Sequence, residues 1–213
     1  MSLDHAAALG EDDAGDAKRQ RIDAKSQYEA AVDEESQRQR AEAVSCQPCE
    51  PDTKRRDAIS WDDYFMSVAK LSAMRSKDPS TQVGACIVDP DRRIVGIGYN
   101  GFPRGCSDDE LPWARAGADE LMTKYPYVCH AEMNAIMNKN SSSLKDCTIY
   151  VGLFPCNECA KLIIQSGITK VVYMSDKYHD KPFMVSSRRM LDMARVQQVQ
   201  HKTTCKQLTI EFD

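Results

Sequence analysis

The chain has 213 residues and a formal net charge of −4, and no apolar run in it approaches the ~20 residues that a membrane span needs. The charge is uneven: residues 1–56 hold nine Lys and Arg against 13 Asp and Glu, whereas residues 57–213 hold 19 of each, so no basic excess marks a nucleic-acid surface. Nine cysteines without an apolar leader at the N-terminus point to reduced thiols in the cytoplasm, with the nucleus as an alternative, free for metal or packing.

Residues 1–56 are rich in Ala, Asp, Glu, Gln, Arg and Ser, with Tyr28 as the sole aromatic. Too little apolar surface is available there to offset ordering entropy, so a disordered polar tail is expected, with transient helix over Ala24–Ala43. Lys18–Arg21 reads as a solvated basic cluster or a weak nuclear-import patch. Cys46-Gln47-Pro48-Cys49 reads as half a metal site with no second ligand pair nearby.

Residues 57–213 read as one catalytic domain. Ser60 is an N-cap candidate before Trp61, Tyr64, Phe65, Val68, Ala69 and Leu71, which predicts a helix over 61–74 with its aromatics in the core. Ser76–Pro79 predicts a loop. Val83–Val88 and Ile94–Tyr99, joined by Asp89-Pro90-Asp91, predict a hairpin of buried strands. Asn100–Asp109 is a long glycine-bearing loop. Further helices are expected over His130–Asn138, over Cys156–Gln165 with Gly167 as its stop, and over Ser187–Ala194. Strands are expected over Cys147–Leu153 and Thr169–Met174, with the alternating Leu208–Phe212 as a last, edge strand. This order predicts an α/β fold, a three-layer α/β/α sandwich around a five-stranded mixed sheet.

The chemistry concentrates in His130-Ala131-Glu132 and Pro155-Cys156-Asn157-Glu158-Cys159. One imidazole and two thiolates leave a fourth tetrahedral position open, as a catalytic Zn2+ site requires and a structural one does not. A water there would have its pKa brought toward ~7. Glu132 stands too close to His130 in sequence to be a natural fourth ligand, but is placed to shuttle that water's proton. His-x-Glu with Pro-Cys-x-x-Cys is the signature of zinc-dependent nucleobase deaminases. The bland alternative is a pair of buried thiols and a core histidine.

Beyond the zinc signature, residues 57–213 resemble the deoxycytidylate (dCMP) deaminase family of the eukaryotic type, within the cytidine deaminase-like fold. The resemblance rests on Arg75–Pro79, Gln82–Val88, Gly96–Gly101, Gly105–Asp109, Lys124–Cys129 and Met174–Asp180. It fades over Lys181–Gln200, and residues 1–56 have no counterpart. It implies hydrolysis of dCMP to dUMP and ammonia, feeding thymidylate synthesis. It implies a homohexamer activated by dCTP and inhibited by dTTP, with Mg2+ accompanying these effectors. It also implies that Asn100 hydrogen-bonds the sugar 3′-hydroxyl and that the backbone around Ala131 faces the exocyclic amine. Tyr178 is then the first choice for the 5′-phosphate, with Lys77, Lys177 and His179 as further candidates. Gly101, Arg104, Ser107 and Asp108 fall in the segment that resembles the effector loop. The alternative reading of Asn100 is a plain turn residue before Gly101.

Three rivals stay open: a deaminase of free cytidine or another small heterocycle, a nucleic-acid editing deaminase, and a catalytically dead regulatory subunit. The neutral domain weighs against the second, and the intact ligand set and Glu132 against the third.

Overall fold

The structure, a computed structural model, describes residues 54–204 and 207–212. The chain divides into two units, Met1–Ala58 and Ile59–Asp213. The expectations for Ala24–Ala43, Lys18–Arg21 and Cys46/Cys49 lie outside the described residues. Ile59–Asp213 forms the α/β domain. No helix among the described residues is long and apolar enough to cross a membrane.

In chain order the elements are α1 (Trp61–Ala73), β1 (Gly84–Val88), β2 (Ile94–Tyr99), a 3-10 turn (Glu120–Met122), α2 (Ala131–Met137), β3 (Thr148–Leu153), α3 (Asn157–Gln165), β4 (Lys170–Ser175), α4 (Pro182–Met193) and β5 (Gln197–Gln200). The strands form one mixed sheet in the order β2-β1-β3-β4-β5. β1 is antiparallel to both β2 and β3, while β3, β4 and β5 run parallel. Strand β1 is buried along its whole length, as an apolar run with both faces covered must be.

Alternation along the strands divides the core in two. Ala85, Ile87, Ile149, Val151 and Val171 face the layer of α2, α3 and α4, whose Ala135, Ile163 and Leu191 close the larger core. Cys86, Val88, Tyr150 and Val172 face α1, which contributes Phe65, Met66 and Ala69. Helix α1 starts as expected, with Ser60 Oγ accepting from the Asp63 amide at 3.1 Å. Its aromatics do not all reach the core. Phe65 does, but Trp61 is 52% and Tyr64 41% exposed, because the sheet covers only the narrow stripe of Phe65, Met66, Ala69 and Ala73.

Two other expectations are corrected. Leu208–Phe212 is not a strand, and Leu208, Ile210 and Phe212 are exposed. The fifth strand is Gln197–Gln200, which pairs parallel to β4 with Val172 opposite Val199. Its Gln-Gln-Val-Gln sequence lacks an apolar alternation because backbone pairing holds this edge and only Val199 packs against the core, on the α1 side. Helix α4 begins at Pro182, five residues before the expected Ser187. Pro occupies the first helical position, where its fixed φ is pre-organised and its missing N–H costs nothing.

Candidate active site

The turn at the end of α3 and the seat of α2 set the site's frame. Gly167 adopts φ +82°, as predicted for a helix stop. Its N–H donates to Ile164 O at 3.1 Å and Ile168 N–H donates to Ile163 O at 3.3 Å, the two bonds of a Schellman motif. Helix α2 lies directly on the backbone of β2. A Cβ at Gly98 would stand 2.2 Å from Ala135 N and 2.4 Å from Ala131 O, so only glycine admits the helix there.

That seating delivers His130 as the N-cap of α2 and Glu132 in the first turn of that helix, while Cys156 caps α3 and Cys159 lies in its first turn. The partly buried His130 and Cys156 meet the buried Cys159. His130 Nδ1 stands 3.4 Å from Cys156 Sγ and 3.4 Å from Cys159 Sγ, and the three donor atoms lie within 4.8 Å of one another. Tetrahedral Zn2+ with Zn–S of ~2.3 Å and Zn–N of ~2.0 Å sets its S and N ligands about 3.5 Å apart, so spacing and donor chemistry both fit this ion.

Hydrogen bonding with Cys159 and with His130 pulls the Cys156 thiol down to about 4 despite burial. Cys156 in turn pushes His130 up to about 9. Cys159 is pushed well up by its hydrogen bond with Cys156 and by burial, so Cys156 is the thiolate of the cluster, and a metal would displace the proton that this thiolate draws onto His130. Glu132 is 5% exposed, and burial raises its carboxyl above the usual range despite the nearby His130. A carboxyl so placed is suited to take up and return protons.

The remaining candidates divide among three neighbourhoods. Gly101 and Cys129 form an isolated antiparallel bridge, which sets Asn100 across from His130. The buried Asn100 amide is engaged: Oδ1 accepts from Val83 N–H at 2.8 Å, and Nδ2 donates to Asp78 Oδ2 at 3.2 Å and to Thr81 O at 2.9 Å. Lys77 is exposed and pairs with Asp108 at 2.5 Å, which ties a candidate phosphate ligand to a candidate effector residue. Asp108 also accepts, through its carbonyl, from Trp113 Nε1 at 2.9 Å. Ser107 Oγ accepts from Asp109 N–H, Arg104 is exposed, and Gly105 takes φ +89°. Tyr178 packs against the larger core with Lys177 Nζ 4.8 Å from its ring centre, and His179 pairs with Asp180. Ala131 is fully buried.

The sequence reading missed one pair beside this site. Lys124, 5% exposed, meets Asp78, 2% exposed, at 2.5 Å. No local signal announces it, since the partners are separated by 46 positions. A cavity of about 310 Å³ on the α1 face, between Trp61, Arg92 and Tyr150, is lined by none of the candidate residues.

With this geometry in hand, the comparisons are specific. The model of the cytidine and deoxycytidylate deaminase zinc-binding region matches residues 59–175. A deoxycytidylate deaminase from Pongo abelii is 59% identical over 170 residues, covering 80% of this chain and 92% of the relative. The Homo sapiens deoxycytidylate deaminase is 58% identical with the same coverage. The crystal structure of a cyanophage S-TIM5 dCMP deaminase in complex with dCMP and dUMP superposes with a TM-score of 0.53 at 27% identity, covering 65% of this chain and 95% of that one. The chain belongs to the cytidine and deoxycytidylate deaminase family.

Proposed function

We propose that this chain hydrolyses dCMP to dUMP and ammonia, with His130, Cys156 and Cys159 holding one catalytic Zn2+. The observation that carries the reading is the convergence of these three donors within 4.8 Å beside the buried Glu132. The relatives named above are deoxycytidylate deaminases and the solved neighbour holds dCMP and dUMP, which supports this substrate.

The chemistry supplied by bound zinc is Lewis-acid activation of a water. The chain's own residues do the rest. Glu132 accepts the proton that the water loses as its oxygen attacks C4, and gives one to N3. It then carries the remaining hydroxyl proton to the exocyclic nitrogen, so that ammonia leaves and a C4 carbonyl remains. Its raised carboxyl pKa suits this two-way traffic. The backbone at Ala131 lines the amine side and Asn100 meets the sugar 3′-hydroxyl. Tyr178 meets the 5′-phosphate, with Lys77, Lys177 and His179 as further candidates.

The regulatory reading belongs here too. A homohexamer is activated by dCTP and inhibited by dTTP with Mg2+ alongside, through the loop that holds Gly101, Arg104, Ser107 and Asp108. The Lys77–Asp108 pair supports coupling between that loop and the substrate phosphate. The enzyme then works in the cytoplasm or nucleus, supplying dUMP for thymidylate synthesis. Ammonia release from dCMP and from deoxycytidine, measured with and without dCTP and dTTP, tests these statements. Equal turnover of the two substrates refutes the phosphate site, and indifference to both effectors refutes the regulation.

A further inference from the structure

Asn100 has almost no freedom left. Both hydrogens of its amide are committed, to Asp78 Oδ2 and to Thr81 O, and one lone pair of Oδ1 is taken by the Val83 amide. Two acceptors on one side and a donor on the other fix which end of the amide is oxygen. What remains is a single lone pair on Oδ1. Asn100 therefore meets a substrate only as an acceptor, and its partner must be an O–H or N–H donor.

The acceptor facing the amide is itself held by a buried cation. Asp78 Oδ2 receives Lys124 Nζ at 2.5 Å, and Lys124 also donates to Ser80 Oγ at 2.7 Å. The other carboxylate oxygen, Oδ1, caps the amides of Ser80 and Thr81 at 2.9 and 3.1 Å and accepts from Ser80 Oγ. Lys124 is anchored in its turn, with its amide donating to Ala114 O and its carbonyl accepting from the amides of Tyr127 and Val128. A buried pair of this kind adds little net stability over apolar isosteres, but it fixes one arrangement of the groups around it. Here the group fixed is the side-chain amide of the residue that the Gly101–Cys129 bridge sets opposite His130 in register.

We infer that Asp78 and Lys124 are positioning residues for substrate selection. They hold Asn100 in the one orientation that accepts from a sugar 3′-hydroxyl, and so make the enzyme select substrates that carry that donor. This rests on the reading above in which Asn100 meets the sugar. Lys124 also braces the segment that leads into His130, so a purely structural role has to be separated from a role in selection.

The separation comes from pairing enzyme variants with dCMP and its 2′,3′-dideoxy analogue, which lacks the donor. Asp78→Asn/Lys124→Met removes both charges together. It keeps a carbonyl oxygen to cap Ser80 and Thr81, but turns an NH2 group toward Asn100 Nδ2, donor against donor. Zinc content and melting temperature report on the fold, and the ratio of kcat/KM between the two substrates reports on selection. The wild type is expected to favour dCMP by roughly three- to tenfold, the worth of one neutral hydrogen bond. In Asn100→Ala and in the double variant that ratio collapses toward one with zinc retained. If the double variant does not fold, Asp78→Glu carries the same test, because it keeps the charge pair with Lys124 but moves the oxygen that faces Asn100 Nδ2.

A wild-type ratio kept by the Asp78 variants but lost in Asn100→Ala overturns the inference and leaves Asn100 in place. A wild-type ratio near one, or an Asn100→Ala variant with undiminished selection, removes Asn100 from the sugar and the inference with it.

Discussion

Replacing Gly98 with alanine tests the idea that close helix-on-strand seating builds the site. The new Cβ would lie 2.2 Å from Ala135 N, 2.4 Å from Ala131 O and 2.8 Å from Asn134 C, all of them backbone atoms of α2. Ordinary contact begins near 3.4 Å, so the helix has to retreat by about an ångström, since no flexible side chain can give way. Overpacking of this kind costs ~1–3 kcal/mol. At ~2–4 °C per kcal/mol for a domain of this size, calorimetry is expected to show a fall in Tm of about 2–12 °C. Helix α2 carries His130 at its cap and Glu132 in its first turn, so the retreat displaces both relative to Cys156 and Cys159. A misplacement of ~1 Å is worth ~10²-fold in rate, and kcat is expected to fall by about that factor. Gly152→Ala is the control, since a Cβ there meets nothing within 4 Å. A Gly98→Ala enzyme with the Tm and kcat of the parent refutes the reasoning.

Cys156→Ala removes one of the three proposed ligands, and metal analysis is expected to show loss of zinc along with activity. Lys124→Met alone strands a buried carboxylate at a cost of ~3–5 kcal/mol, and thermal melts of Asp78→Asn/Lys124→Met are expected to recover most of that loss. Burial alone would raise the Asp63 carboxyl, but hydrogen bonds from Thr204, Ser60, Thr203 and His201 outweigh it and hold the pKa well below the usual range. Its contribution to stability is therefore complete above the unfolded-state pKa of ~3.9 and is lost as pH falls below that value; Asp63→Asn is expected to flatten the acid limb of a Tm–pH profile. A chain beginning at Lys54 is expected to keep its turnover, because every candidate site residue lies at or beyond Lys77; a large fall in kcat would show that residues 1–53 serve the site.

What could be read from the sequence was whatever spacing encodes. The convergence of His130, Cys156 and Cys159 beside Glu132 was legible because zinc chemistry dictates both residue types and local intervals, and because each candidate ligand sits at or near the start of a helix. Gly167 was legible because a helix stop at positive φ favours glycine. The apolar strands β1 to β4 announced themselves by composition. Strand β5 did not, since Gln197–Gln200 is held by an edge ladder that any side chain permits, while the alternating Leu208–Phe212 has no partner strand among the described residues. The Asp78–Lys124 and Asp63–His201 pairs join positions 46 and 138 apart, and such pairings are created by the fold and leave no periodic trace. Trp61 and Tyr64 misled because a helix packed on a sheet by one narrow stripe leaves its neighbouring aromatics in solvent.

The central claim is that Glu132 carries protons for a zinc-dependent deamination of dCMP. The most direct measurement is ammonia release from dCMP by Glu132→Gln, with zinc content determined on the same preparation. The amide keeps the shape of the carboxyl but cannot take up and return a proton, so turnover is expected to fall by at least ~10²–10⁴ with about one zinc per chain retained. Turnover close to that of the parent, or loss of zinc together with activity, contradicts the account.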